Sequence, residues 1–87
     1  MNRQITIFYF AHLVGMLGRE TEVLFLPMTV NNVKELQAHL ARRGDEWTKL
    51  FEHNTQRIQV TVNKQFAEPD TALKGGDEVA FVAFNMN

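Results

Sequence analysis

The stretch Val30-Asn31-Asn32-Val33-Lys34-Glu35-Leu36-Gln37-Ala38-His39-Leu40 sets the architecture. Its apolar residues, Val30, Val33, Leu36 and Leu40, recur three or four apart with polar residues between them. That spacing predicts an amphipathic helix of about three to four turns with one buried face. Thr29 or Asn32 can cap it, and Asn32 followed by Glu35 has the pattern of a capping box. Arg42 and Arg43 fall in its expected last turn, where cations favour the helix dipole, and Gly44 supplies the stop. Asp45 is placed to cap a second, shorter helix carrying Trp47, Leu50 and Phe51 on one side.

On both sides of this helix the period changes to two. Residues 4–10 are β-branched and aromatic, as a strand near a sheet centre requires. Residues 11–18 read as a helical turn closed by Gly15 or Gly18. Residues 20–26 read as a second strand pairing with the first, ended by Pro27, which lacks a backbone donor. After the helices, Ile58, Val60 and Val62 alternate with polar residues, the clearest strand signal in the chain. Asn63-Lys64 is a turn, and 65–67 a short edge strand carrying Phe66. Glu68-Pro69-Asp70 is a break and Lys74-Gly75-Gly76-Asp77 a strong turn before a closing strand over 78–84. The order is α+β: a mixed sheet of about five strands, one main helix and a second short helix. A β-grasp fold is the natural small solution, with residues 1–87 forming one domain.

Composition narrows the function. Nine Lys and Arg against ten Asp and Glu give a net charge of −1, without the basic surplus of a nucleic-acid binder. No uninterrupted apolar run reaches membrane-spanning length. The apolar opening Ile5–Val14 lacks a small-x-small cleavage site and alternates like a strand, so it reads as mature structure. The absence of cysteine excludes thiolate metal sites and a Cys nucleophile, and is permissive for the cytoplasm. His12, His39 and His53 have no metal-ligand spacing. No phosphate loop, dinucleotide fingerprint, zinc motif or nucleophile elbow occurs, so an autonomous active site, metal or cofactor is not expected. The aromatics are more informative. Phe8, Tyr9 and Phe10 are consecutive, so a strand here presents aromatics on both sheet faces. One long helix covers one face, and an exposed apolar patch is expected on the other.

Several segments together resemble a known family. The strand Ile7-Phe8-Tyr9-Phe10-Ala11, with Leu13 and Gly18 after it, resembles the opening of the small subunit of molybdopterin synthase. Thr29-Val30-x-x-Val33-x-x-Leu36 is similar to that family's helix start. Asp45-x-Trp47, then Val62-Asn63 followed by Phe66, and Leu73-x-Gly75-Gly76-Asp77-Glu78-Val79-Ala80-Phe81 also match, in order, across residues 5–82. The resemblance implies a ubiquitin-like β-grasp sulfur carrier in the cytoplasm. Its partners would be the synthase large subunit and an adenylating enzyme, with no nucleic acid or membrane. In the family a C-terminal Gly-Gly carboxylate is adenylated and converted to a thiocarboxylate. It then gives sulfur to cyclic pyranopterin monophosphate in the large subunit's active site, forming the dithiolene. The family's apolar contact face maps onto Phe10, Phe66 and Val82, with Val82 standing where an aromatic is usual. Two alternatives stay open: a non-catalytic β-grasp interaction module, and a sulfur carrier for another pathway such as thiamine thiazole synthesis.

The sequence departs from the family pattern at Ala83-Phe84-Asn85-Met86-Asn87, where the family has Gly-Gly. Glycine has no Cβ and can thread a narrow channel; the side chains here would overpack one and misplace the reacting carboxyl. The Asn87 amide can also attack its own activated carbonyl and close a succinimide. The expectation is that an 87-residue chain forms no stable thiocarboxylate with activating enzyme, ATP and a sulfur donor. Intact-mass measurement checks this: a peak heavier by the oxygen-to-sulfur difference contradicts it, whereas loss of one water marks succinimide closure.

Overall fold

The computed structural model describes residues 3–83. The chain runs β1 (Gln4–Ala11), α1 (His12–Leu17), β2 (Thr21–Phe25), α2 (Val33–Ala41), α3 (Asp45–Phe51), a 3-10 turn (Thr55–Arg57), β3 (Ile58–Val62), β4 (Gln65–Phe66) and β5 (Glu78–Ala83). The five strands form one sheet ordered β2-β1-β5-β3-β4. β1 and β5 pair in parallel at its centre, and the other pairings are antiparallel. The mixed sheet with helices on one face is the β-grasp arrangement expected from the sequence, with α1 an additional short helix.

Period-two alternation sorts the central strands. Ile5, Ile7 and Tyr9 of β1 and Val79, Phe81 and Ala83 of β5 point inward and are buried. Val33, Leu36, Leu40 and Ala41 of α2 join them in the core with Leu50 and Phe51 of α3. Four aromatics close a ring of contacts there. Tyr9 lies 6.1 Å from Phe81, Phe81 5.1 Å from Phe51, Phe51 5.9 Å from Trp47, and Trp47 5.7 Å from Tyr9. Edge-to-face and offset pairs of this kind contribute about 0.5–1.5 kcal/mol each beyond their burial.

The α2 start follows the expected cap. Asn32 Oδ1 accepts the Glu35 N–H at 2.8 Å, and Glu35 Oε1 reaches back to the Asn31 N–H at 2.8 Å. Asn32 is therefore the cap, and Thr29 lies before it. Three local readings are corrected. α2 ends at Ala41, which puts Arg42 at the C-cap and Arg43 beyond the helix. Gly44, at φ 88°, is the N-cap of α3 rather than the stop of α2. Asp45 makes no capping hydrogen bond; it is the first residue of α3 and itself adopts φ 49°. The sharp α2–α3 corner needs two successive residues at positive φ, so the first falls to glycine.

Two polar clusters fix the layers together. Glu22, at the inner side of β2, accepts the Tyr9 hydroxyl at 2.7 Å and a forked pair from Arg43 at 2.8 and 2.7 Å, with Arg19 at 3.3 Å. Arg43 also lies over the Trp47 ring at 4.4 Å. Burial raises the Tyr9 hydroxyl and the hydrogen bond to Glu22 raises it further. For Glu22, burial pushes upward but the Arg43 and Tyr9 hydrogen bonds outweigh it and hold the carboxyl below its ordinary range.

The second cluster joins the β3–β4 turn to β5. Asn63 and Lys64 both take positive φ, 52° and 70°, as a two-residue hairpin turn requires. Asn63 Nδ2 donates to Asp77 Oδ1 at 3.0 Å, and its Oδ1 accepts the Glu78 N–H at 3.0 Å. Asp77 is buried and also accepts the Lys74 N–H at 2.9 Å and the Lys74 ammonium at 3.2 Å. Burial raises its pKa, yet these donors outweigh burial and the carboxyl lies below its usual range. A depressed carboxylate contributes stability above its unfolded pKa and loses it as pH falls through the folded value. Asp77→Asn is expected to cost about 1–3 kcal/mol at pH 7, and to flatten the decline of stability below roughly pH 4. Urea unfolding at pH 7 and pH 3 checks both effects.

Candidate partner-binding face

The same alternation that buries Tyr9 turns its neighbours outward. Phe8 and Phe10 lie on the sheet face that carries no helix, their rings stacked 6.4 Å apart. The register places the rest of the face. Phe10 stands beside Val82, and Val82 beside Gln59. In the adjoining row Phe8 stands beside Ala80, Ala80 beside Thr61, and Thr61 beside Phe66 of the edge strand β4. No charged side chain interrupts either row.

Phe10, Phe66 and Val82, singled out from the sequence, therefore share this outer face. Phe10 and Val82 are direct cross-strand neighbours, while Phe66 is anchored one row away across β3. Phe66 is 82% exposed and Phe10 48%, whereas Val82 is half-buried. Phe8 and Ala80 extend the Phe10–Val82 pair toward β3, where Thr61 separates them from Phe66; their parity with Phe10 and Val82 carried the signal in the sequence. Phe84 and Asn87 lie outside the described residues.

The face carries no titrating or metal-binding cluster among the described residues. The described groups with shifted protonation, Tyr9, Glu22, Arg43 and Asp77, all belong to the two clusters that hold the fold together. Among the described residues no group of three or more His, Asp or Glu side chains comes close enough to hold a metal ion. His12 and His53 are exposed, the latter 3.2 Å from Glu52. Arg43, read from sequence as a dipole-compensating cation, is committed to Glu22. No helix among the described residues is long and apolar enough to cross a membrane. An open groove of about 1080 Å³ runs between α2, α3, β3 and the edge at β4, lined by charged, polar and apolar groups including Arg42, Glu52, Phe51 and Phe66.

A five-stranded β-grasp sheet with helices on one face and exposed aromatics on the other defines a ubiquitin-like protein. The chain belongs to the ThiS family, whose model matches residues 7–84. It is 26% identical over 77 residues to the molybdopterin synthase sulfur carrier subunit of Haemophilus influenzae, covering 88% of this chain and 90% of that one. Solved structures share the fold. A Pyrococcus furiosus protein described as molybdopterin converting factor subunit 1 superposes with a TM-score of 0.75 at 23% identity, covering 93% of this chain and 97% of the other. In a complex of subunits 1 and 2 of molybdopterin-converting factor from Helicobacter pylori, the matching chain gives a TM-score of 0.62 at 16% identity. That match covers 97% of each chain. The chain is thus a sulfur-carrier-type, ubiquitin-like protein of the ThiS family.

Exposure separates fold from surface here. Phe66→Asp is expected to change stability by less than about 0.5 kcal/mol, because the ring is 82% exposed. Phe81→Ala, which opens a cavity beside Tyr9 and Phe51, should cost about 3–5 kcal/mol. Urea midpoints of the two variants check the contrast.

Proposed function

We propose that this chain is the small subunit of a molybdopterin synthase and docks onto the large subunit through the face bearing Phe10, Phe66 and Val82. The observation that carries the proposal is the co-facial placement of these three side chains on the helix-free side of the sheet. An apolar patch of aromatics rimmed by polar groups is the composition of a protein interface core. The Haemophilus influenzae relative and the Helicobacter pylori complex of two subunits support the choice of partner.

In this reading the large subunit supplies the active site and the small subunit supplies docking in the cytoplasm; the adenylating enzyme that charges the family's Gly-Gly terminus would meet Asn85-Met86-Asn87 here. Residues 84–87, including Asn87, lie outside the described residues, so the reading rests on the sheet face and not on the terminus. A second reading, a sulfur carrier for thiamine thiazole synthesis, is kept by the family match, because it would use the same fold with a different partner.

Co-purification decides between them. The wild-type chain is expected to co-purify with the large subunit of molybdopterin synthase from the same organism. Phe66→Asp should lose that partner while staying folded, since a carboxylate desolvated in an interface core has no counterpart there. Unchanged binding by Phe66→Asp overturns the assignment of the face. A wild-type chain that ignores the large subunit but captures a thiazole synthase overturns the pathway.

A further inference from the structure

β2 is an edge strand, and the hydrogen bonds at its two ends show which of its residues are unpaired. The Tyr9 N–H donates to Glu20 O at 2.8 Å, and the Leu26 N–H donates to Arg3 O at 2.9 Å. In an antiparallel ladder bonded residues alternate, so Glu20, Glu22, Leu24 and Leu26 turn their backbones toward β1. Thr21, Val23 and Phe25 turn their N–H and C=O groups to the open edge, where no described group bonds them. Their side chains lie on the outer face, with Val23 55% and Phe25 68% exposed.

Edges of this kind are ordinarily blunted by lysine, proline, a bulge, an inward-pointing charge or a covering element. Thr21–Phe25 carries one of these, the inward-turned Glu22, and that charge is already satisfied by Tyr9 and Arg43 of the same chain. Pro27 comes too late, and no described helix packs extensively over β2.

We propose that this edge pairs antiparallel with the same edge of a second copy, about a two-fold axis at Val23. In that register Val23 faces its own copy and Thr21 faces Phe25, so all the outward N–H and C=O groups of the three residues find partners. No charged residue directly opposes another in this register. Glu22 falls opposite Leu24, Glu20 opposite Leu26, and Arg19 opposite Pro27; the two Glu22 side chains lie diagonally across the axis, each held by Arg43 of its own copy. A two-fold contact is self-complementary and closes at two copies rather than propagating. The two sheets become one, and the exposed Val23 and Phe25 side chains cover each other on its outer face. A five-residue pairing buries less than the roughly 800 Å² per partner of a stable complex. The dimer is therefore weak, forming at about 0.1–1 mM. It does not rest on the large-subunit reading, because β4 and Phe66 lie at the opposite edge of the sheet.

Charge at the axis tests the register. Sedimentation of the wild-type chain from about 10 μM to 1 mM should show conversion from monomer to dimer. Val23→Lys alone and Val23→Glu alone should stay monomeric, since each places like charges directly opposite one another. An equimolar mixture of the two should dimerise, because lysine then meets glutamate. Phe66→Asp should dimerise like the wild type, which separates this edge from self-association through the Phe10–Val82 face. Circular dichroism verifies that both Val23 variants remain folded. A wild-type chain that stays monomeric at the top concentration, a dimeric Val23→Lys variant, or a monomeric mixture overturns the proposal.

Discussion

The parallel pairing of β1 with β5 is the contact on which the rest of the molecule depends. It sets the first described strand against the last, with Ile7 beside Val79 and Tyr9 beside Phe81. Without it the β1–β2 hairpin and the β3–β4–β5 strands would be separate pieces, each too small to bury an apolar face. The pairing also decides what each face carries. A one-residue slip would send Tyr9 and Ile7 outward and Phe8 and Phe10 into the core. The buried core and the exposed apolar face are thus two outcomes of one register.

Two features guard that register. The ring of Tyr9, Phe81, Phe51 and Trp47 locks the inner side to α3, and Glu22 ties β2 to the same cluster through Tyr9 and Arg43. At the other end, Asp77 and Asn63 fasten the start of β5 to the β3–β4 turn. Most of the polar organisation of the chain therefore supports the sheet. The two clusters leave the helix-free face apolar, with Phe8 stacked on Phe10 and Val82 half-buried. An exposed aromatic surface on such a small protein is most simply explained by a partner that covers it.

Much of this was legible in the sequence where local chemistry dominates. The Asn32–Glu35 cap, the alternation of Ile58, Val60 and Val62, and the Asn63-Lys64 turn all act over a few residues, and each formed as read. The helix read from the 30–40 periodicity is present but shorter, nine residues from Val33 to Ala41, with Val30 buried ahead of its cap. The placement of Phe10, Phe66 and Val82 on one face was legible through parity once the strands were ordered. What escaped depends on residues distant in the chain. Arg43 is bound to Glu22, 21 positions away, so it does not serve the end of α2. Asp77 reads as an ordinary turn aspartate until Asn63 arrives from another strand. At the α2–α3 corner, Gly44 and Asp45 share a constraint set by how the two helices pack, which a capping rule applied to Asp45 alone cannot contain. The open β2 edge likewise emerges only from the strand order.

The most direct test of the central claim is a residue-resolved footprint of this chain on the large subunit. Side-chain NMR signals of Phe8, Phe10, Phe66, Ala80 and Val82 would be followed while the unlabelled partner is added. The account predicts that these outer-face signals shift or broaden together, while the Val33, Leu36 and Leu40 signals of α2 stay in place. Perturbation centred on α2 and the groove beside it, with the Phe8, Phe10, Ala80 and Val82 signals unchanged, would contradict it.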